Sequence, residues 1–138
     1  MDERKEVAVA AALIIKDGRA LLTRRGYGKF AGKWELPGGK LEAGESAAQA
    51  CSREIAEELN LHLTKLTPLF DFHYAYPDFN LSMQVFKATL PPGQKPALKV
   101  HDALAYVSAA HLAQFDWLEA DHAIIPQLQQ ALKEYAGA

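Results

Sequence analysis

The segment GKLEAGESAAQACSREIAEELNL, residues 39–61, decides how the rest of the chain is read. Ser46 followed three residues later by Gln49 is a capping-box pattern, in which each side chain bonds the other residue's backbone N–H, so a helix starts there. Ala48, Cys51, Ile55 and Leu59 recur at spacings of three and four and lay one apolar stripe toward a core. Asn60 stands where the helix should stop, because Asn tolerates the left-handed conformation of a helix end. The predicted helix is therefore Ser46–Leu59. On its other face Glu54, Glu57 and Glu58 lie at i, i+3 and i+4, so their carboxylates meet on one patch with Arg53 beside them. Like charges at that spacing repel by about a few tenths of a kcal/mol per pair. Oxygen ligands gathered this way suit a hard cation such as Mg²⁺ or Mn²⁺. The same pattern alone also describes a solvated acidic face.

Working outward, Leu36-Pro37-Gly38-Gly39-Lys40 closes a short strand at Trp34-Glu35-Leu36. Paired glycines form an ordinary turn, or let the backbone and a ligand approach closely. Upstream, Val7–Ile15 is apolar on both faces, as in a strand covered on each side. It joins Ala20–Thr23 across Lys16-Asp17-Gly18-Arg19, and Asp-Gly is a favoured two-residue hairpin turn. A loop, Gly26 to Lys33, follows. Downstream, strands are expected at Leu66–Tyr76 and Leu81–Leu90, turned by Pro77-Asp78-Phe79-Asn80. Pro91-Pro92-Gly93 opens a loop to about Ala103, and Leu104–Val107 makes a last strand. Ser108 begins a short helix. Asp121 caps a C-terminal helix ending near Tyr135, inside which Pro126 implies a late start or a kink. Interleaved strands and helices predict an α/β (α+β) fold, a mixed sheet packed between helices.

Length and composition narrow the function. The 138 residues, about half apolar, suit one domain spanning 1–138. Cys51 is the single cysteine, so there is no internal disulfide and no zinc-type cluster, and a reducing, cytoplasmic setting fits. The start, Met1 to Glu6, is charged, and no apolar run is long enough to span a bilayer. A net charge of −2 argues against a dedicated nucleic-acid binder, though not against a small phosphorylated ligand.

Gly39, Glu45, then Arg53-Glu54-Ile55-Ala56-Glu57-Glu58-Leu59 resembles the Nudix box, which fixes a glycine, four glutamates, an arginine and two apolar positions over 23 residues. The wider resemblance, to MutT-like nucleoside triphosphate pyrophosphohydrolases, covers nearly the whole chain, from Thr23-Arg24-Arg25 to Trp117-Leu118-Glu119-Ala120-Asp121. It implies a Nudix-type α/β/α sandwich and hydrolysis of a nucleoside triphosphate to monophosphate and pyrophosphate. A nucleotide sugar or dinucleoside polyphosphate is the alternative substrate, and a non-catalytic nucleotide-binding module the alternative class. Asn60 stands where the family has glycine, a replacement that preserves the helix end.

The resemblance implies roles residue by residue. Glu54, Glu57 and Glu58 coordinate Mg²⁺ or Mn²⁺ together with the backbone carbonyl of Gly38. Arg53 orients the glutamates, Glu45 included, and Arg25 and Lys40 contact phosphate oxygens. Glu57 is the general base of choice. An additional loop glutamate of the family falls on Val100, leaving Asp102 as a substitute or His101 and Asp102 as solvated loop residues. Asp121 sits where relatives read the base edge, and it is equally a helix N-cap; the two readings are compatible. Tyr76 and Phe79 lie near the family's base-stacking aromatic, with core packing the alternative. Trp34 and Trp117 read as core. The partner is a small nucleotide, with neither nucleic acid nor membrane, and the chain acts as a monomer or homodimer.

Overall fold

The computed structural model describes residues 4–136; the charged start at Met1-Asp2-Glu3 lies outside them. The chain runs β1 (Lys5–Lys16), β2 (Arg19–Arg25), β3 (Trp34–Glu35), β4 (Gly38–Lys40), α1 (Ala47–Leu59), β5 (Thr67–Ala75), β6 (Phe79–Thr89) and β7 (His101–Val107). A 3-10 turn (Ala109–Gln114), α2 (Glu119–Ala123) and α3 (Ile125–Ala136) complete it. The β1–β2 hairpin turns on Asp17 and Gly18, both at positive φ (50° and 76°), the twist that a two-residue hairpin loop requires.

The seven strands form one mixed sheet built around β1. Its one edge runs parallel to β6 from Lys5↔Phe79 to Ile15↔Thr89, and β5 adds antiparallel to β6. Its other edge is divided. Only Ile15 and Lys16 pair with β2, whereas Val9, Ala10 and Ala11 pair with β4. Strand β2 instead takes β3 on that side and β7 on the other. The hairpin strands therefore part soon after their turn, and residues 34–40 fill the gap. Ala12 N–H donates to Pro37 O across it at 3.0 Å.

As its pattern predicts, β1 is covered on both faces. Ala11, Leu13 and Ile15 pack with Leu112, Trp117, Ile124, Leu128 and Leu132, while Ala10, Ala12 and Ile14 pack with Cys51, Ile55, Leu59 and Leu61. Each fully buried Ile or Leu contributes roughly 1.5–3 kcal/mol by leaving water. The result is helix, sheet, helix.

Helix α1 forms as its caps dictate. Gln49 N–H donates to Ser46 Oγ and Ser46 N–H to Gln49 Oε1, and Asn60 adopts the left-handed conformation at φ 54°. Its buried face is Ala50, Cys51, Ile55 and Leu59; Ala48 is only half-buried, since the stripe turns with the helix toward Ala50.

Three expectations need correction. Strand β7 begins at His101 rather than Leu104, because its pairing with β2 continues through a bulge to Arg25↔His101. His101 is therefore a buried strand residue, not a solvated loop residue. The C-terminal helix is two helices meeting at Ile124, and Pro126 is the second residue of α3, where its missing N–H costs nothing. Asp121 is no N-cap. It lies inside α2, which Leu118 precedes without any side-chain cap.

Candidate active site

The gap between β1 and β2 positions the site. Gly38 lies so close to β1 that a Cβ there would run into Ala10 O and the Ala11 Cα. A Cβ on Gly39 would overlap the Glu54 carboxylate. The two glycines thus let β4 lie flush against a strand on one side and helix α1 on the other, which is why these positions carry no side chain.

Arg53 locks the approach to α1. Its Nε donates to Glu45 Oε2 at 2.7 Å and its Nη2 to Glu45 Oε1 at 3.0 Å, a bidentate pair. Nη2 also donates to Lys40 O (3.0 Å), and Nη1 to Glu54 Oε1 (2.6 Å) and Glu57 Oε2 (3.4 Å). Arg53 holds the Glu45 carboxyl at about 2, well below its ordinary value. One guanidinium thereby ties the glycine strand, the loop before the helix and two helix glutamates together; the resemblance implied its contacts with the glutamates, not the one with the strand.

The expected meeting of three helix carboxylates is realised for two of them. Glu54 and Glu58 lie close enough for the charge of Glu54 to raise the Glu58 carboxyl, while Glu57 is turned to Arg53 and stands 61% exposed. Repulsion along the helix and the cation one turn earlier explain the difference. A residue the sequence reading assigned no role, Glu35, supplies further negative charge. Burial, then the charges of Glu54 and Glu35, push the Glu58 carboxyl up to about 8.

Among the described residues no three His, Cys, Asp or Glu side chains already stand as a complete ligand set. The donor set nevertheless fits a divalent cation. Glu58 Oε1 is buried without a hydrogen-bond partner, and it belongs to a crowd of carboxylates whose mutual repulsion a cation relieves.

Beside this cluster lies a cavity of about 280 Å³. Arg25, Lys40, Gly38, Tyr76, Phe79 and Asp121 all line it, so the structure brings these six candidates together, without Asp102. Its walls include Val9, Met83 and Leu118. Tyr76 stacks on Phe79 with centroids 4.8 Å apart, and its hydroxyl accepts from Ala120 N–H at 3.1 Å. Phe79 is the first residue of β6 rather than a turn residue. Asp121 is buried, with Oδ2 accepting from Leu36 N–H at 2.9 Å, and burial raises its carboxyl to about 7.

Asp102 is elsewhere engaged: it accepts from Arg24 Nε at 2.7 Å, on the strand position facing away from His101. Trp117 is core, and Trp34 is half-buried edge-on to Phe115. Glu35 and Phe30, which also line the cavity, were not singled out by the sequence, and His101 was read there only as a loop residue. An acidic residue between Trp34 and Leu36 in a short strand was the signal for the first, since a buried carboxylate needs partners.

The model of the NUDIX domain family matches residues 4–135. The chain belongs to the Nudix family. Among curated Nudix relatives, a Mycobacterium tuberculosis protein named for 8-oxo-dGTP diphosphatase activity is 35% identical over 129 residues, 90% of this chain and 89% of that one. The CTP pyrophosphohydrolase of Escherichia coli K12 is 31% identical over 140 residues, 91% of this chain and 90% of that one. A MutT Nudix hydrolase from Burkholderia pseudomallei has the same fold, with a TM-score of 0.79 at 29% identity, covering 90% of this chain and 98% of that one. No described helix of this Nudix domain is long and apolar enough to cross a membrane.

Proposed function

We propose that this Nudix hydrolase converts a nucleoside triphosphate to the monophosphate and pyrophosphate, with a cytosine nucleotide or an oxidised guanine nucleotide as substrate. The observation carrying this reading is one of adjacency: a cavity of base-binding size opens on Arg25, Lys40 and the Gly38 strand, beside the carboxylates of α1. The names of the two relatives, one for CTP and one for 8-oxo-dGTP, support the same substrate classes.

In this reading Glu54, Glu57, Glu58 and the Gly38 carbonyl hold Mg²⁺ or Mn²⁺, which when bound neutralises phosphate charge and makes a water more acidic. Arg25 and Lys40 bind phosphate oxygens. The Glu57 carboxylate, exposed and held only loosely by Arg53, accepts the proton of the attacking water. Arg53 and Glu45 keep the helix in place against the glycine strand.

Tyr76 and Phe79 supply an aromatic wall for the base, and Asp121, held by Leu36 N–H, reads its edge. An ionised Asp121 only accepts, which suits an exocyclic amino group; the protonated form also donates, which suits a keto group. With its carboxyl near 7, Asp121 presents both forms around neutrality. The enzyme works as a monomer or homodimer in the cytoplasm.

A panel of nucleoside triphosphates, nucleotide sugars and dinucleoside polyphosphates, with products identified and Mg²⁺ present or withheld, tests this. Monophosphate and pyrophosphate from a cytosine or oxidised guanine triphosphate are expected. Turnover of nucleotide sugars alone, or of nothing, overturns it.

A further inference from the structure

Neighbouring strands place Arg25 (β2) opposite His101 (β7) and diagonal to Glu35 (β3), whose own cross-strand partner is Thr23. Arg25 Nε donates to Glu35 Oε2 at 2.8 Å and Arg25 Nη2 to Glu35 Oε1 at 3.1 Å, a planar bidentate pair. From the far side, the His101 side chain, 3% exposed, brings Nε2 to 3.3 Å from the same Oε2. Glu35 is itself only 14% exposed, so its carboxylate is gripped between two strands and has little room to turn. Arg25, by contrast, is 41% exposed and lines the cavity, and its Nη1 has no protein acceptor among the described residues.

We infer that Glu35 is the positioning residue for nucleotide binding: it fixes the Arg25 guanidinium so that Nη1 is presented to the bound triphosphate. The inference rests on the reading of Arg25 as a phosphate contact. A free arginine loses rotamer freedom when it is ordered. Glu35 orders Arg25 before the nucleotide arrives, so that this cost does not weaken binding. His101 does the same for Glu35 one strand further out.

The test is a double-mutant cycle read by calorimetric binding of a non-hydrolysable α,β-methylene nucleoside triphosphate in Mg²⁺ buffer. R25A and E35A are each expected to weaken binding about 10-fold or more, and R25A/E35A no more than R25A alone, because the two act as one unit. E35Q, which keeps an acceptor for Arg25, should bind within about threefold of the unsubstituted protein. Melting curves identify any variant that fails to fold; should E35A do so, the cycle is run with E35D, which is too short to keep both bonds to Arg25, and the roughly 10-fold loss expected of E35D alone must vanish in the R25A background. If R25A binds normally, the phosphate-contact reading fails and the inference falls with it. If R25A binds weakly but E35A binds normally, or the two losses multiply, Glu35 does not position Arg25 and only the inference falls.

Discussion

Gly39 and the Glu54 carboxylate are in contact so close that nothing larger than a hydrogen fits between them. Gly39 does not need positive φ, so an alanine there is tolerated by the backbone and acts only by displacing Glu54. G39A is expected to lower kcat about 100-fold, the scale of a small misplacement of a reacting group, while the melting temperature stays nearly unchanged. Steady-state rates and melting curves on the same preparation check this; a variant with normal kcat removes Glu54 from the chemistry.

Glu57 faces water, so its charge is dispensable for folding. E57Q is expected to fold normally and lose activity by about 100-fold or more, as removal of a general base does. Circular dichroism with turnover measurements tells the two effects apart. Retained turnover would assign the base to another group.

Arg53 is not replaceable by lysine. An ammonium group cannot bond both oxygens of Glu45 while also reaching Lys40 O and Glu54. R53K should cost roughly 10- to 100-fold in kcat, as loss of a residue that orients others does. Wild-type kinetics in R53K would show that the bidentate geometry is incidental.

Added Mg²⁺ or Mn²⁺ should raise the melting temperature, since a ligand that binds only the folded state stabilises it by about 2.7 kcal/mol at 100 times its Kd. E54Q and E58Q should each abolish most of that rise. A rise that persists in both variants places the cation elsewhere.

Asp121 makes stability depend on pH. Its carboxyl is raised from 3.8 to about 7 in the folded protein, so between these values the folded state holds more protons than the unfolded one. The contribution of Asp121 is therefore fully present below about 4 and lost as pH rises through about 7. D121N, which keeps an acceptor for Leu36 N–H, removes that loss. Its urea midpoint should gain on the wild type as pH climbs from 4 to 8, and its ranking of base preferences should change. A constant gap across pH would mean that Asp121 is ionised throughout.

Local signals in the sequence were sufficient for α1 and for the first hairpin. The Ser46–Gln49 box, the Asn60 stop and the Asp17-Gly18 turn each depend on residues within a few positions, and each forms as expected. The double apolar coverage of β1 was legible for the same reason. What was not legible depends on distant partners. Asp121 reads as a cap until Leu36 N–H, 85 residues away, takes its carboxylate. His101 reads as loop until β2 extends the strand to it, and Glu35 reads as one acid in a short strand until Arg25 and His101 close around it. The glutamates of α1 were visible as a set, but their rotamers were not, because Arg53 competes for them through space.

The division of labour across β1 has an evolutionary consequence. Side chains that shape the cavity, such as Val9 and Met83, belong to the face packed by α2 and α3, whereas the acidic helix packs on the opposite face. The two meet at the gap between β1 and β2, largely across backbone that glycine keeps bare. Selection can therefore recut the chamber while the acidic helix and its glycine strand stay unchanged.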